Sequence, residues 1–297
     1  MANPVTALPN FFVVGAPKAG TTSLYHYLDQ HPQIYMSPIK EPNYFASEVR
    51  PDNFSEELQQ QISHEMHTLQ EYLRSPMWEK RFGGILQEWE DYLRLFQNVN
   101  GEKAIGEASV CYLWSRTAAA NIFSRIPDAK IIMILRDPAE RAFSQYLHAL
   151  GMGLVRKSFR EEIQTSLRHN DGKFRVLSSF LEFGLYYEQV KRYLELFAIR
   201  NVCIHVFEEY QEQPAKVLRE IFHFLSVDCS VVPHTSRKHL EARIPRSVAI
   251  SYVVRRHVIW QRAKKLDPTY PSAYLACLRL QVRQISCDGR ERQKVSG

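Results

Sequence analysis

The stretch Gly15-Ala16-Pro17-Lys18-Ala19-Gly20-Thr21-Thr22 constrains this chain more than any other. Before it run the apolar residues Phe11-Phe12-Val13-Val14; after it comes a helical pattern carrying Leu24, Tyr25 and Leu28 that stops near His31-Pro32. An apolar run without polar alternation suits a strand buried on both faces of a parallel sheet. A glycine-bounded turn between such a strand and a helix presents backbone N–H groups to an anion at the helix start. Lys18, Thr21 and Thr22 add direct donors. The pattern approaches the nucleotide-phosphate loop G-x-x-x-x-G-K-[ST], but Thr21 stands where the lysine belongs and Lys18 lies inside the loop. An ordinary ATP or GTP hydrolase is therefore disfavoured.

The pattern of elements repeats the theme. A second apolar run, Ile131 to Leu135, ends at Arg136-Asp137-Pro138 and opens a helix, with proline in the first turn where its missing N–H costs nothing. A third strand, Val202 to Phe207, follows a helix over Tyr186 to Phe197 and precedes a helix over Ala215 to Leu225. Strands alternating with helices predict an α/β fold, a P-loop-like parallel sheet flanked by helices on both faces. The 297 residues are expected to form one domain, 1–297. Within it we expect a helical insertion over about 48–100 and a basic helical C-terminal part over about 248–297, broken by Pro268 and Pro271. The insertion's aromatics at helical spacing (Tyr72, Trp78, Phe82, Trp89, Tyr92, Phe96) read mainly as core, secondarily as the wall of an acceptor pocket.

Composition adds bounds. A formal net charge of +6 favours anionic ligands without choosing among nucleotide, nucleic acid, acidic glycan and membrane surface. Five cysteines form no CxxC pair, which argues against a zinc site or disulfide scaffold and for a reducing compartment. With neither a secretory signal pattern nor a long apolar run, the expected location is cytoplasmic.

A second anion-binding pattern lies far along the chain. Arg136 ends its strand and Ser144 follows two helical turns later, in Arg136-Asp-Pro-Ala-Glu-Arg141-Ala-Phe-Ser144-Gln-Tyr146, a spacing suited to one phosphate. Alone, Arg136 reads equally well as a structural ion pair; with the upstream loop, the phosphate reading gains.

Together these segments resemble those of sulfotransferases that use 3′-phosphoadenosine 5′-phosphosulfate (PAPS). Pro17 to Ser23 is similar to the family's 5′-phosphosulfate loop, PKxGTT, and the second segment to its 3′-phosphate motif, RxPxxRxxSxY. The resemblance implies that Lys18 holds the oxygen bridging phosphate and sulfate. It implies that Lys18, Ala19, Gly20, Thr21, Thr22 and Ser23 bind the 5′-phosphate region and that Arg136 and Ser144 bind the 3′-phosphate. Gly184-Leu185-Tyr186 resembles a segment near the adenine, which makes Tyr186 a further nucleotide contact, and Phe207 to Leu225 matches a structural stretch. Lys40-Glu41-Pro42-Asn43-Tyr44-Phe45 resembles the KExxxF segment of the glycan enzymes, whose glutamate is the general base. The likeness spans roughly residues 11–45 and 102–227.

Chemistry supports Glu41 in that role independently, since an acceptor hydroxyl needs a positioned base as the S–O bond forms. Its rivals are a surface Lys–Glu pair and a histidine base, but no KTH segment is present and His26, His31 and His148 read as helix or turn residues. Two departures stand out: Asn43 where the glycan enzymes commonly carry histidine, and Gly106-Glu107-Ala108-Ser109 where they read GEKTP, so their lysine is missing at Ala108. Arg246, with Arg243, is the candidate to close over the nucleotide. The expectation is transfer of a sulfuryl group to a hydroxyl or amine without a metal. The acceptor would be a carbohydrate, glycolipid or small metabolite, with no nucleic acid partner, and the basic C-terminal helices would offer peripheral membrane contact. The alternatives are a P-loop kinase or NTPase, with Asp137 as its Mg²⁺ ligand, and a nucleotide-binding protein without turnover.

Overall fold

The computed structural model describes residues 7–53, 67–151, 154, 155, 157–168 and 180–235. The chain divides into two compact units, one comprising Met1–Ala142 with Asn170–Glu241, the other Phe143–His169 with Ala242–Gly297.

The first unit is built on a five-stranded parallel sheet: β1 (Phe11–Gly15), β2 (Ile34–Met36), β5 (Ala104–Ala108), β6 (Lys130–Leu135) and β7 (Val202–Val206), in the order β2-β5-β1-β6-β7. Strand β1 is central and buried at every residue, as its unbroken apolar run demands. Its Phe12 lies level with Glu107 of β5 on one side and Ile131 of β6 on the other. The chain leaves β1 towards β2 and later crosses to β6, so the order reverses beside β1. Open parallel sheets bind ligands beyond the carboxyl ends of their strands at such a reversal.

Helix α1 (Thr21–Leu28) follows β1, ending earlier than the sequence pattern suggests. A two-stranded parallel pair, β3 (Ile39–Lys40) and β4 (Arg81–Phe82), branches off beside the sheet. Helices α2 (Trp89–Arg94), α3 (Cys111–Trp114) and α4 (Ala118–Arg125) come before β6, and α5 (Pro138–Gly151) after it. Helix α5 runs from the first unit into the second, where α6 (Phe159–Arg168) follows. Helices α7 (Tyr186–Leu196), α8 (Phe207–Glu212) and α9 (Pro214–Leu225) belong to the first unit. Helix α9 opens on proline and buries Val217, Leu218, Ile221, Phe222 and Leu225, one apolar stripe at helical spacing.

The α/β architecture agrees with the sequence reading, with two refinements. Residues 48–100 are not uniformly helical: the described part holds helical residues 67–74 and α2, but also strand β4. Its aromatics divide. Tyr92 and Phe96 are buried with Phe45, and Tyr44 stacks on Tyr92 at 4.8 Å, whereas Trp78 and Phe82 are exposed. Strand β5 escaped the sequence reading because Gly106 and Glu107 interrupt its apolar character. Gly106 is needed there because a side chain at that position would run into the Phe11 ring on the neighbouring strand. The expected C-terminal helices over 248–297, and Arg243 and Arg246, lie outside the described residues.

Candidate active site

The carboxyl end of β1 delivers the chain into the turn at Gly15–Gly20. The turn is anchored to β6 by the Ala16 N–H, which donates to the Ile134 carbonyl at 2.7 Å. Gly20 precedes α1 with φ of 80°, and a Cβ there would press on the Phe207 ring at 3.0 Å and on Tyr210 at 3.1 Å. Both backbone sign and space therefore call for glycine. Gly20 offers no side-chain cap and the first turn of α1 carries no acidic residue. The first N–H groups of a helix have no intrahelical acceptor, and a positive helix start without its own carboxylate suits an anion. Ala19, Thr21 and Thr22 are buried around this start, with Ser23 next in the helix.

Lys18 sits in the turn with φ of 64°, a left-handed conformation unusual for lysine. Burial lowers its pKa; the nearby Glu41 carboxylate opposes that shift, while Arg136 and Lys40 add to it. Lys18, Lys40, Glu41 and Arg136 thus share one field, although the sequence brings them from three separate segments. Arg136, at the end of β6, donates to the Lys18 carbonyl at 3.1 Å and lies over the Phe207 ring at 4.8 Å. Its contact with the exposed Glu140, at 3.5 Å, is a weak surface pair.

Glu41 follows β3, also left-handed, with φ of 67°. Its Oε1 accepts from the fully buried Lys40 ammonium at 2.6 Å, and its side chain keeps 29% of its surface open. A carboxylate with one oxygen paired and part of its surface accessible can receive a proton from an incoming group. Lys40 also covers one face of the half-exposed Phe82 ring at 4.9 Å.

Tyr186 begins α7 with its hydroxyl buried beside Arg141. The backbone N–H of Arg136 faces that hydroxyl without making a well-formed hydrogen bond. Burial, more than any charge, raises the tyrosine's pKa. Arg141 is fully buried and donates to the Phe180 carbonyl, so this arginine of the second segment is spent on structure. Ser144 lies further along α5, within the second unit. Asp137, the Mg²⁺ ligand of the kinase alternative, instead caps α5: its Oδ1 accepts the Glu140 N–H at 2.9 Å. Among the described residues no group of three or more His, Cys, Asp or Glu side chains is placed to hold a metal ion.

Sequence reasoning passed over Glu107. It is completely buried on β5, where it accepts from Ser109 at 2.8 Å and Tyr92 at 3.3 Å, with Tyr112 also bonded to it. Burial pushes its pKa up to about 7 against these hydroxyl donors and Lys40. The signal was present: a carboxylate flanked by apolar residues in a five-residue strand needs a reason to be there.

Comparison with known proteins matches this geometry to one family. The profile described as "Sulfotransferase family" covers residues 9–230. A sulfotransferase from Alicyclobacillus acidocaldarius, known from its crystal structure, is 33% identical and superposes with a TM-score of 0.64 over 90% of this chain and 99% of that one. Mouse carbohydrate sulfotransferase 15 is 24% identical over 278 residues, covering 74% of this chain and 44% of its own length. Human bifunctional heparan sulfate N-deacetylase/N-sulfotransferase 3 is 30% identical over 230 residues, covering 76% of this chain and 23% of its own length. The chain thus spans less than half the length of these curated relatives. The extent of the profile match and the similarity to the crystal structure over 90% of this chain agree: this chain belongs to the sulfotransferase family.

Proposed function

We propose that this chain transfers a sulfuryl group from PAPS to an acceptor hydroxyl or amine, with Glu41 as general base and Lys18 stabilising the leaving phosphate. The observation that carries the reading is the meeting of Lys18, Glu41 and Arg136 beyond the carboxyl ends of β1, β3 and β6, beside a helix start without an acidic partner. The donor set of the first unit suits PAPS: backbone N–H groups and Lys18 for the 5′ end, Arg136 for the 3′-phosphate, and Tyr186 towards the adenine. When bound, PAPS supplies an activated sulfuryl group on a phosphate leaving group. Glu41 takes the acceptor's proton as the new S–O or S–N bond forms. Lys18 neutralises the charge that gathers on the phosphate side as the old S–O bond breaks, releasing adenosine 3′,5′-bisphosphate (PAP). No redox step or metal is needed to balance this transfer; positioning and charge stabilisation supply the rate.

For the acceptor we propose a carbohydrate, in keeping with the names of the curated relatives. Phe82 favours this, offering a flat apolar ring beside the base, on which the C–H face of a sugar can lie. Among the described residues Cys111, Cys203 and Cys229 are free thiols, in keeping with a reducing, cytoplasmic setting. No helix among the described residues is long and apolar enough to cross a membrane.

Calorimetric titration with PAP tests the donor side, with AMP and ATP–Mg²⁺ as controls. Micromolar binding that requires the 3′-phosphate and is lost in Arg136→Ala is expected. Preference for ATP–Mg²⁺ would replace this reading with the kinase one.

A further inference from the structure

The loop that carries Glu41 is strained twice, with φ of 67° at Glu41 and 57° at Asn43. Backbone of this kind persists only where its surroundings over-determine it. The surroundings are specific. The Glu41 N–H donates to the Ala108 carbonyl at 2.9 Å, and the Glu41 carbonyl accepts from the Gly84 N–H at 2.9 Å. The Asn43 amide group donates to that same Glu41 carbonyl at 2.9 Å and to the Gly84 carbonyl at 2.8 Å. Its oxygen accepts from the buried Cys111 thiol at 2.8 Å. Both donors and the acceptor of one amide are thus engaged, which fixes its orientation. The Asn43 N–H donates to Ser109 Oγ at 3.2 Å, and Ser109 in turn donates to buried Glu107 at 2.8 Å.

Asn43 and the pair Ala108-Ser109 are where this sequence departs from the glycan-enzyme pattern, which shares Glu107, and here Asn43 and Ser109 are hydrogen-bonded to one another. We propose that Asn43 is the positioning residue of the general base, and that Ser109, just past β5, and Glu107 of β5 are its buried anchor. The proposal rests on Glu41 being the base. In this clamp, neutral groups fix the backbone on either side of Glu41, while among the described residues Lys40 alone meets its carboxylate at ion-pair distance. Facing Glu107 are Tyr92 of α2, Tyr112 and Cys111 of α3, Lys40 of β3 and Tyr193 of α7. Facing Glu41 are Lys40, Lys18 and Cys111.

The test is a ¹³C-carboxyl glutamate NMR titration of the PAP-loaded protein, with the Glu41 signal assigned by its loss in Glu41→Gln. In Asn43→Ala and in the milder Ser109→Ala, the Glu41 signal is expected to move or split and its titration midpoint to change. Cys111→Ser, which keeps a donor, should preserve both. A Glu41 signal and midpoint unchanged in both folded alanine variants would overturn the proposal. The kinetic counterpart uses labelled PAPS with a panel of p-nitrophenyl glycosides. We expect kcat to fall about 10–100-fold in the alanine variants, the scale of a small misplacement of a reacting group, with PAP affinity within about twofold of wild type. A fall in PAP affinity without a change in kcat would likewise overturn it. If wild type sulfates no glycoside but the NMR changes appear, the acceptor assignment fails and the clamp stands. If PAP does not bind, the donor assignment fails and the same titration on the free protein decides the clamp.

Discussion

The phosphate turn and the base loop face one another but are built on opposite plans. The turn Gly15–Gly20 works largely through backbone: glycine where a left-handed residue and close ring contact require it, and helix N–H groups without a competing carboxylate. Its determinants are contiguous in sequence, apart from Arg136. The base loop works through side chains scattered along the chain (Lys40 of β3, Asn43, Glu107 of β5, Ser109, and Cys111 of α3) with the Gly84 backbone beyond β4. A backbone-built site is set by a short motif and tolerates little change within it. A site built from scattered side chains allows different residue sets to hold the same carboxylate, in keeping with the departures at Asn43 and Ala108 from the pattern that this sequence resembles.

The sharpest way to break the comparison is Lys18→Ala. A direct charge partner of the leaving group should be worth about 10³-fold or more in turnover, with folding unchanged, as circular dichroism and a labelled-PAPS assay would show. Wild-type rate in that variant would remove the turn from the chemistry. Glu41→Gln comes next: turnover should drop by about 10²–10⁴-fold while calorimetric PAP affinity holds, separating base from binding. Gly20→Ala should weaken both stability and PAP binding, since it forces a side chain into left-handed backbone and towards the Phe207 ring; a loss of roughly 1–3 kcal/mol in denaturant melts is expected. No loss would mean that the turn does not depend on glycine's backbone freedom at this position.

The smallest effect belongs to the anchor. Glu107 has its pKa raised to about 7 in the fold, above the ordinary carboxylate range reached on unfolding. The folded state therefore holds the proton over the window between those values. Glu107's contribution to stability is present below the window and is lost as pH rises through it, up to about 7. Glu107→Gln removes the titration, so its melting midpoint should fall less than wild type's between pH 5 and pH 7.5, by on the order of 2 kcal/mol in stability. Parallel pH dependences would show that Glu107 does not titrate there and that its anchor is purely a hydrogen-bond acceptor.

Much of the fold was legible because long apolar runs such as Ile131–Leu135 have few alternatives to a buried parallel strand. The short strands were not. Isolated β3 and β4 are each two residues long, and only pairing with one another gives them strand character. Lys18, Glu41 and Arg136 were legible as candidates, each from its own segment, but their sharing of one electrostatic field was not. Arg141, within the same segment as Arg136, is completely buried and bonded to Phe180, a burial that its place in the sequence did not announce.

The sequence by itself pointed to the family through the resemblance of Pro17–Ser23 and Arg136–Tyr146, and to the parallel α/β sheet and the glycine-bounded turn because those depend on local periodicity, glycine placement and helix starts. The tertiary structure decided how Glu41 is held and which side chains hold it. It also buried Glu107 and bonded it to Ser109, next to that loop. Those outcomes depend on hydrogen bonds between residues distant in the chain and on which groups lose their water, and neither is encoded in the spacing of residues along a single strand or helix.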